Sequence, residues 1–142
     1  MAFDTRPANL TPSIAWALLS PIGRMSRQAY WLGFGLIWIV ILIAMSMWWR
    51  SLDPSAPLSE MDLVSFAESN PLFPLLFFVL QWIELALVIK RCQDIGVTGF
   101  LALLIFVPFV NVIAVFAFGF IPGKPGANRY GPLPNSYYRR GS

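Results

Sequence analysis

From Tyr30 to Trp49 the chain runs for twenty residues without a charged side chain, and this run restricts the fold more than any other feature. An α-helix rises about 1.5 Å per residue, so the run covers about 30 Å, the thickness of the hydrocarbon core of a bilayer. Tyr30 and Trp31 stand at one end and Trp48 and Trp49 at the other, where aromatic belts of a membrane helix belong. A second run, Leu72 to Ile89, is apolar for eighteen residues apart from Gln81 and Glu84, and it closes on Lys90-Arg91. Those basic residues suit the negative end of a helix dipole and the cytoplasmic interface. Two transmembrane helices, 30–49 and 72–89, are therefore expected. Composition agrees: 57% of residues are hydrophobic and 12% charged, against about 25% charged in a usual soluble domain. So small a protein has too little polar surface to cover that apolar area in water, so lipid must cover it. The expected fold is an all-α integral membrane protein built as one unit.

A third apolar segment, Phe100 to Ile121, is long enough to cross once, but Pro108 and Asn111 interrupt it. It either spans once or bends at Pro108–Asn111 into a hairpin of two arms, each about 15 Å long. Around the apolar body (29–121, with helices near 30–49, 72–89 and 100–121) lie an N-terminal segment, 1–28, and a Gly/Pro-rich basic tail, 122–142. Met1 to Pro12 reads as a loose start. Ile14–Leu19 is too short to span and is expected to lie in the interface with Trp16 as its anchor. No basic stretch precedes it and no small-residue cleavage site follows, so it is expected to be retained. The 50–70 connection carries Asp53, Glu60, Asp62 and Glu68 against Arg50. Within it Ser59-x-x-Asp62 resembles a capping-box start for a short helix through Ala67, broken at Asn70-Pro71. The tail's glycines and prolines argue against regular helix or strand.

Lys and Arg counts set an orientation. The N-terminal segment has three (Arg6, Arg24, Arg27), the first connection one (Arg50) and the second two (Lys90, Arg91). Short basic segments stay cytoplasmic, so the N-terminus and the 90–99 turn are expected inside and the 50–70 loop in the periplasm. The tail has four (Lys124, Arg129, Arg139, Arg140). A single third crossing sends them outside, against the rule; a hairpin returns them to the cytoplasm.

Chemistry is sparse. The chain has no histidine and one cysteine, Cys92. The commonest general base and metal ligand are absent, and neither an intrachain disulfide nor a thiolate cluster can form. No enzyme, metal or cofactor is expected. The formal charge of +3 sits beside apolar runs, where anionic lipid headgroups are the expected partner and nucleic acid is not.

Three motifs stand out: Gly23-Arg24-x-x-Arg27-x-x-Tyr30-Trp31, then Arg91-Cys92-Gln93-Asp94-x-Gly96-x-Thr98-Gly99-Phe100, and finally Pro122-Gly123-x-Pro125-Gly126-x-Asn128-Arg129-Tyr130-Gly131-Pro132-x-Pro134. In that order, over roughly residues 20 to 135, the chain resembles the "domain of unknown function 805" family of small bacterial inner-membrane proteins. The resemblance implies an inner-membrane location and no assigned activity. Where the family usually has His-Asp this chain has Gln93-Asp94, and Leu101 stands where a second aromatic is frequent.

The motif residues all lie at the expected cytoplasmic membrane edge. Arg24 and Arg27, three apart, share a face if the segment is helical. Asp94 is the one acid of the turn, placed to pair with Arg24 or Arg27 or to accept from the Gly96–Gly99 backbone. With Arg91, and with Asn128, Arg129 and Tyr130 if the tail returns inside, these residues form a candidate polar cluster. Three readings of it remain open: a structural cluster, arginines on lipid phosphates with Asp94 capping the turn, or a ligand site. A second candidate is intramembrane. Gln81 and Glu84 share a helical face with Val88 and Arg91, and Glu84 lies about 9 Å along the helix from Lys90. An ionisable group at that depth faces protein or water. Glu84 either packs on polar groups of the third segment such as Asn111, the favoured reading, or handles protons or cations. The functional expectation is a structural, assembly or interaction component that self-associates or joins a membrane complex. The alternative is a small transporter or channel subunit with Gln81 and Glu84 on a polar path.

Overall fold

Ser26 starts the first long helix. Its backbone is extended (φ −65°, ψ 159°), and its Oγ accepts the N–H of Ala29, the N-cap pattern that satisfies one orphan donor of a first turn. The computed structural model describes residues 6–55, 57, 59 and 62–139; Met1–Thr5 of the expected loose start, Glu60 of the acidic loop and Arg140 of the tail lie outside them. In chain order the elements are β1 (Ala8–Asn9), α1 (Ile14–Leu19), α2 (Arg27–Ser51), α3 (Leu63–Ser69), α4 (Leu72–Ile95), a 3-10 helix (Gly99–Phe106), α5 (Val110–Phe120) and β2 (Tyr137–Tyr138). Among the described residues the fold is all-α apart from the two-residue strands.

The two long helices, α2 and α4, are apolar and long enough to cross a bilayer, and each extends beyond the uncharged run that predicted it. They are antiparallel. Gly33 of α2 meets Leu87 of α4, where a Cβ built on the glycine falls 2.8 Å from the leucine side chain. At the other end Ala44 and Trp48 pack with Phe73. Close approach of this kind is the main source of association between helices in lipid, where no hydrophobic force draws them together. The belt reading of the aromatics needs correcting: Tyr30 is fully buried and Trp48 nearly so, while Trp49 is exposed. Gly96 ends α4 with φ +88°. Its N–H and that of Val97 return to Cys92 O, a left-handed close that glycine adopts without a Cβ clash.

The third apolar segment is a hairpin. The 3-10 helix runs away from the Lys90 end of α4 and α5 runs back. Between them Phe109 sits at φ 65°, ψ −41°, and Val110 donates to Pro108 O at 2.8 Å. This is the tight, strained γ-turn. Asn111 relieves the turn's unsatisfied backbone: its N–H donates to Val107 O and its Nδ2 to Ile105 O at 2.7 Å. Irregular backbone at membrane depth survives only with such internal partners. The core between α2, α4 and the hairpin includes Phe34, Ile37, Val88, Ala102, Ile105 and Phe118.

Two expectations for the termini are overturned. The N-terminal start and the tail are both partly regular, because β1 and β2 pair antiparallel, Ala8 with Tyr138 and Asn9 with Tyr137. Neither strand has local reason to form; each exists because the other satisfies its backbone. The loop helix α3 is capped by Asp62 with Ser65, not by Ser59, since Asp62 is the residue adjoining the first helical turn.

Candidate functional site

The hairpin returns the tail to the end of the bundle that holds the start of α2 and the end of α4. There the residue before Met25 pairs as a strand: Arg24 N–H donates to Ser136 O and Asn135 N–H to Arg24 O, both at 2.9 Å. Arg24 therefore lies outside the helix, with Ser26 as the cap between it and Arg27. The two arginines do not share a face. Arg24 is fully buried and Arg27 exposed.

Asp94 sits between two buried arginines. Arg24 Nε donates to Oδ1 at 2.9 Å and Arg91 Nη1 to Oδ2 at 2.6 Å. The remaining guanidinium donors meet backbone carbonyls. Arg24 binds Lys124 O at 2.7 Å, Gly131 O at 3.3 Å and Gly126 O. Arg91 binds Phe118 O at 2.8 Å, Met25 O at 3.0 Å and Ile121 O. Asp94's own carbonyl accepts from Lys124 N–H at 2.9 Å. Gly123 lies against the carboxylate so closely that a Cβ there falls 2.0 Å from Oδ2. One acid thus joins the N-terminal segment, α4, the end of α5 and the tail. Bare burial of such charges costs several kcal/mol per ion unless geometry and extra hydrogen bonds offset it, and here every guanidinium nitrogen has a partner.

Around this latch the tail is tied further. Gln93 Oε1 accepts Gly23 N–H at 3.1 Å, and Asn128 Nδ2 donates to Gln93 O at 2.8 Å. Arg129 and Tyr130 do not join. Arg129 is exposed and folds over the Tyr130 ring, 4.7 Å from its centroid. Arg27 borders the latch but makes no hydrogen bond or ion pair with it among the described residues. Of the expected cluster the structure brings together Arg24, Arg91, Asp94 and Asn128.

Lys90 is a site residue that sequence reasoning read as interfacial. It is fully buried, with Nζ donating to Trp16 O at 3.0 Å, Ala17 O at 2.7 Å and Ser20 O and lying 4.8 Å from the Trp16 ring centroid. Trp82 Nε1 donates to Leu19 O at 2.9 Å. Carbonyls of the last turn of α1 and of its C-cap Ser20 thus receive a cation from another helix, at the pole where positive charge is favoured. The available signal was that α1 has no basic residue in its own last turn.

Deeper in the bundle Gln81 Nε2 donates to Glu84 Oε2 at 3.0 Å, and Asn111 Nδ2 to Glu84 Oε1 at 3.3 Å. The three intramembrane polar residues thus form one chain from α4 to the hairpin. Glu84 borders two largely apolar cavities, of about 280 Å³ toward α3 and about 550 Å³ toward α5.

Comparison with known proteins agrees with this architecture. Residues 18–132 match the family described as "Protein of unknown function (DUF805)". The chain is 31% identical to "Inner membrane protein YhaI" of Escherichia coli K12 over 113 residues, covering 79% of this chain and 83% of that one. It is 28% identical to "Inner membrane protein YhaH" of the same strain over 112 residues, covering 79% and 84%. No solved structure matches.

Proposed function

The chain belongs to the DUF805 family of proteins of unknown function, and from that premise we propose that it is a structural or interaction component of a bacterial inner membrane, not a catalyst. The observation that carries the reading is the use of the charged groups. Both oxygens of Asp94 are occupied by Arg24 and Arg91, and the remaining donors of those arginines bind main-chain carbonyls. The polar investment at this end of the molecule goes into holding four segments in one arrangement, as buried ion pairs do in some proteins where they specify structure. The N-terminus, the 90–99 turn and the tail then share the cytoplasmic side with the anionic headgroups, the 50–70 loop faces the periplasm, and the exposed apolar helix faces meet lipid, a second copy or a membrane partner. The positive-inside rule supports this orientation, because the hairpin returns the basic tail to the side of Arg24 and Arg27. Fusions of a cytoplasm-active and a periplasm-active reporter to the C-terminus test it. Activity of the first is expected; activity of the second alone refutes the orientation.

A small transporter is the second reading, favoured by the Gln81–Glu84–Asn111 chain beside two cavities. It predicts a proton or cation flux in proteoliposomes that Glu84→Gln abolishes. The structural reading predicts the same trace for both proteins, and a Glu84-dependent flux overturns it.

A further inference from the structure

We propose that a shallow basic pocket beside the latch, of about 290 Å³, binds the phosphate of an anionic phospholipid headgroup. Arg27, on the first turn of α2, and Lys124, in the tail, form its exposed walls; Arg91 and Asp94 contribute to its floor and Ser26 to its rim. Three cationic side chains line it against one carboxylate, and that carboxylate is already taken by Arg24 and Arg91. Among the described residues the side chains of Arg27 and Lys124 have no hydrogen-bond or ion-pair partner. Beneath them Arg24, Arg91 and Asp94 are engaged with one another and with carbonyls, so the charge left open to an anion at this pocket is that of Arg27 and Lys124.

The backbone adds to the field. The pocket opens at the N-terminus of a 25-residue helix, where the first N–H groups carry partial positive charge. Ser26 Oγ takes the N–H of Ala29 and Ser26 O that of Tyr30, and no described bond takes the N–H of Arg27 or Gln28. The Lys124 side chain lies along Gly96, where an added Cβ falls 2.5 Å from Cδ and 2.9 Å from Nζ. An anion with several acceptor oxygens matches a guanidinium, an ammonium and a helix N-terminus together.

Location selects the source. The pocket lies where α2 begins and α4 ends, the same end of both membrane-length helices, which is headgroup level for a chain that spans a bilayer. The inference deepens the proposed headgroup contact by naming its place, yet it does not depend on the latch having any further role.

The test measures binding of short-chain phosphatidylglycerol to the full chain in detergent by native mass spectrometry, with inorganic phosphate in a parallel arm. Each basic residue near an anionic surface contributes about a fivefold factor in affinity. The pair Arg27→Gln and Lys124→Gln is expected to weaken lipid binding about 30-fold. The charge-matched pair Arg129→Gln and Arg139→Gln, outside the pocket, is expected to weaken it far less. Both pairs alter exposed residues, and circular dichroism checks that they fold alike. Equal loss in the two pairs overturns the pocket in favour of diffuse surface charge. Phosphate binding without lipid binding overturns the headgroup assignment. Either failure leaves the Asp94 latch untouched, because its test reads docking of the tail.

Discussion

Replacing Asp94 with asparagine keeps the side chain's size and removes its charge. In the native structure the carboxylate accepts one charge-assisted bond from Arg24 at 2.9 Å and one from Arg91 at 2.6 Å. In the variant one amide oxygen can still accept, but the amide nitrogen is a donor facing a guanidinium donor. Hydrogen bonds to charged groups contribute about 1.5–3 kcal/mol each and neutral ones about 1 kcal/mol, so losing one bond and the charge assistance of the other is worth about 2–5 kcal/mol. Breaking one partner out of a buried ion pair costs about 3–5 kcal/mol by an independent route. Each guanidinium keeps three carbonyl contacts, which argues against the top of the range. The expected loss is about 4 kcal/mol, or roughly a thousandfold in the docking equilibrium. Because the lost bonds join Arg24 to α4, the tail and N-terminal segment are expected to release before the bundle of α2 and α4 does. Limited proteolysis of the tail in detergent reads this directly, since cleavage tracks the open population when opening and closing are fast. A cycle with Arg24→Met adds a second readout: the two losses should be clearly less than additive. A stability change within about 0.5 kcal/mol of the native chain, with unchanged tail cleavage, refutes the latch.

Lys90→Met keeps the aliphatic stem and deletes the ammonium group that caps α1. It is expected to cost about 2–3 kcal/mol and to raise quenching of Trp16 by an aqueous quencher; unaltered Trp16 accessibility refutes the cap. Gly119→Ala places a methyl 2.2 Å from Trp31 Cζ2, so the Trp31 ring or α5 must shift, and a loss of about 1–3 kcal/mol is expected. Gly35→Ala meets nothing within 4 Å and is its control in thermal unfolding; equal effects of the two substitutions contradict the packing described.

How much of this was legible beforehand follows from the range of each interaction. The spans 30–49 and 72–89 are properties of contiguous residues, because transfer of an uncharged twenty-residue helix into hydrocarbon depends on that stretch alone. The all-α membrane fold was therefore decided by the sequence itself. So was the break at Pro108–Asn111, although sequence left open whether the chain turned there. Only the fold decided that it does, because the turn needs Asn111 Nδ2 on Ile105 O and Glu84, and α2 and α4 to pack on its arms.

The latch was half legible. The motif spacing marked Arg24, Arg91 and Asp94, but charge is long-ranged and unselective, so Arg24 and Arg27 were equal partners for Asp94 on paper. The choice came from backbone placement. Ser26 ends the extended segment, leaving Arg24 in the strand-like pairing with Ser136 and turning Arg27 outward. Lys90 carried no local sign of burial, since its ligands lie 70 or more residues away in α1. Local hydrophobicity fixes which segments enter the membrane, whereas the partner of a buried charge depends on which carbonyls and acids the assembled chain brings within reach.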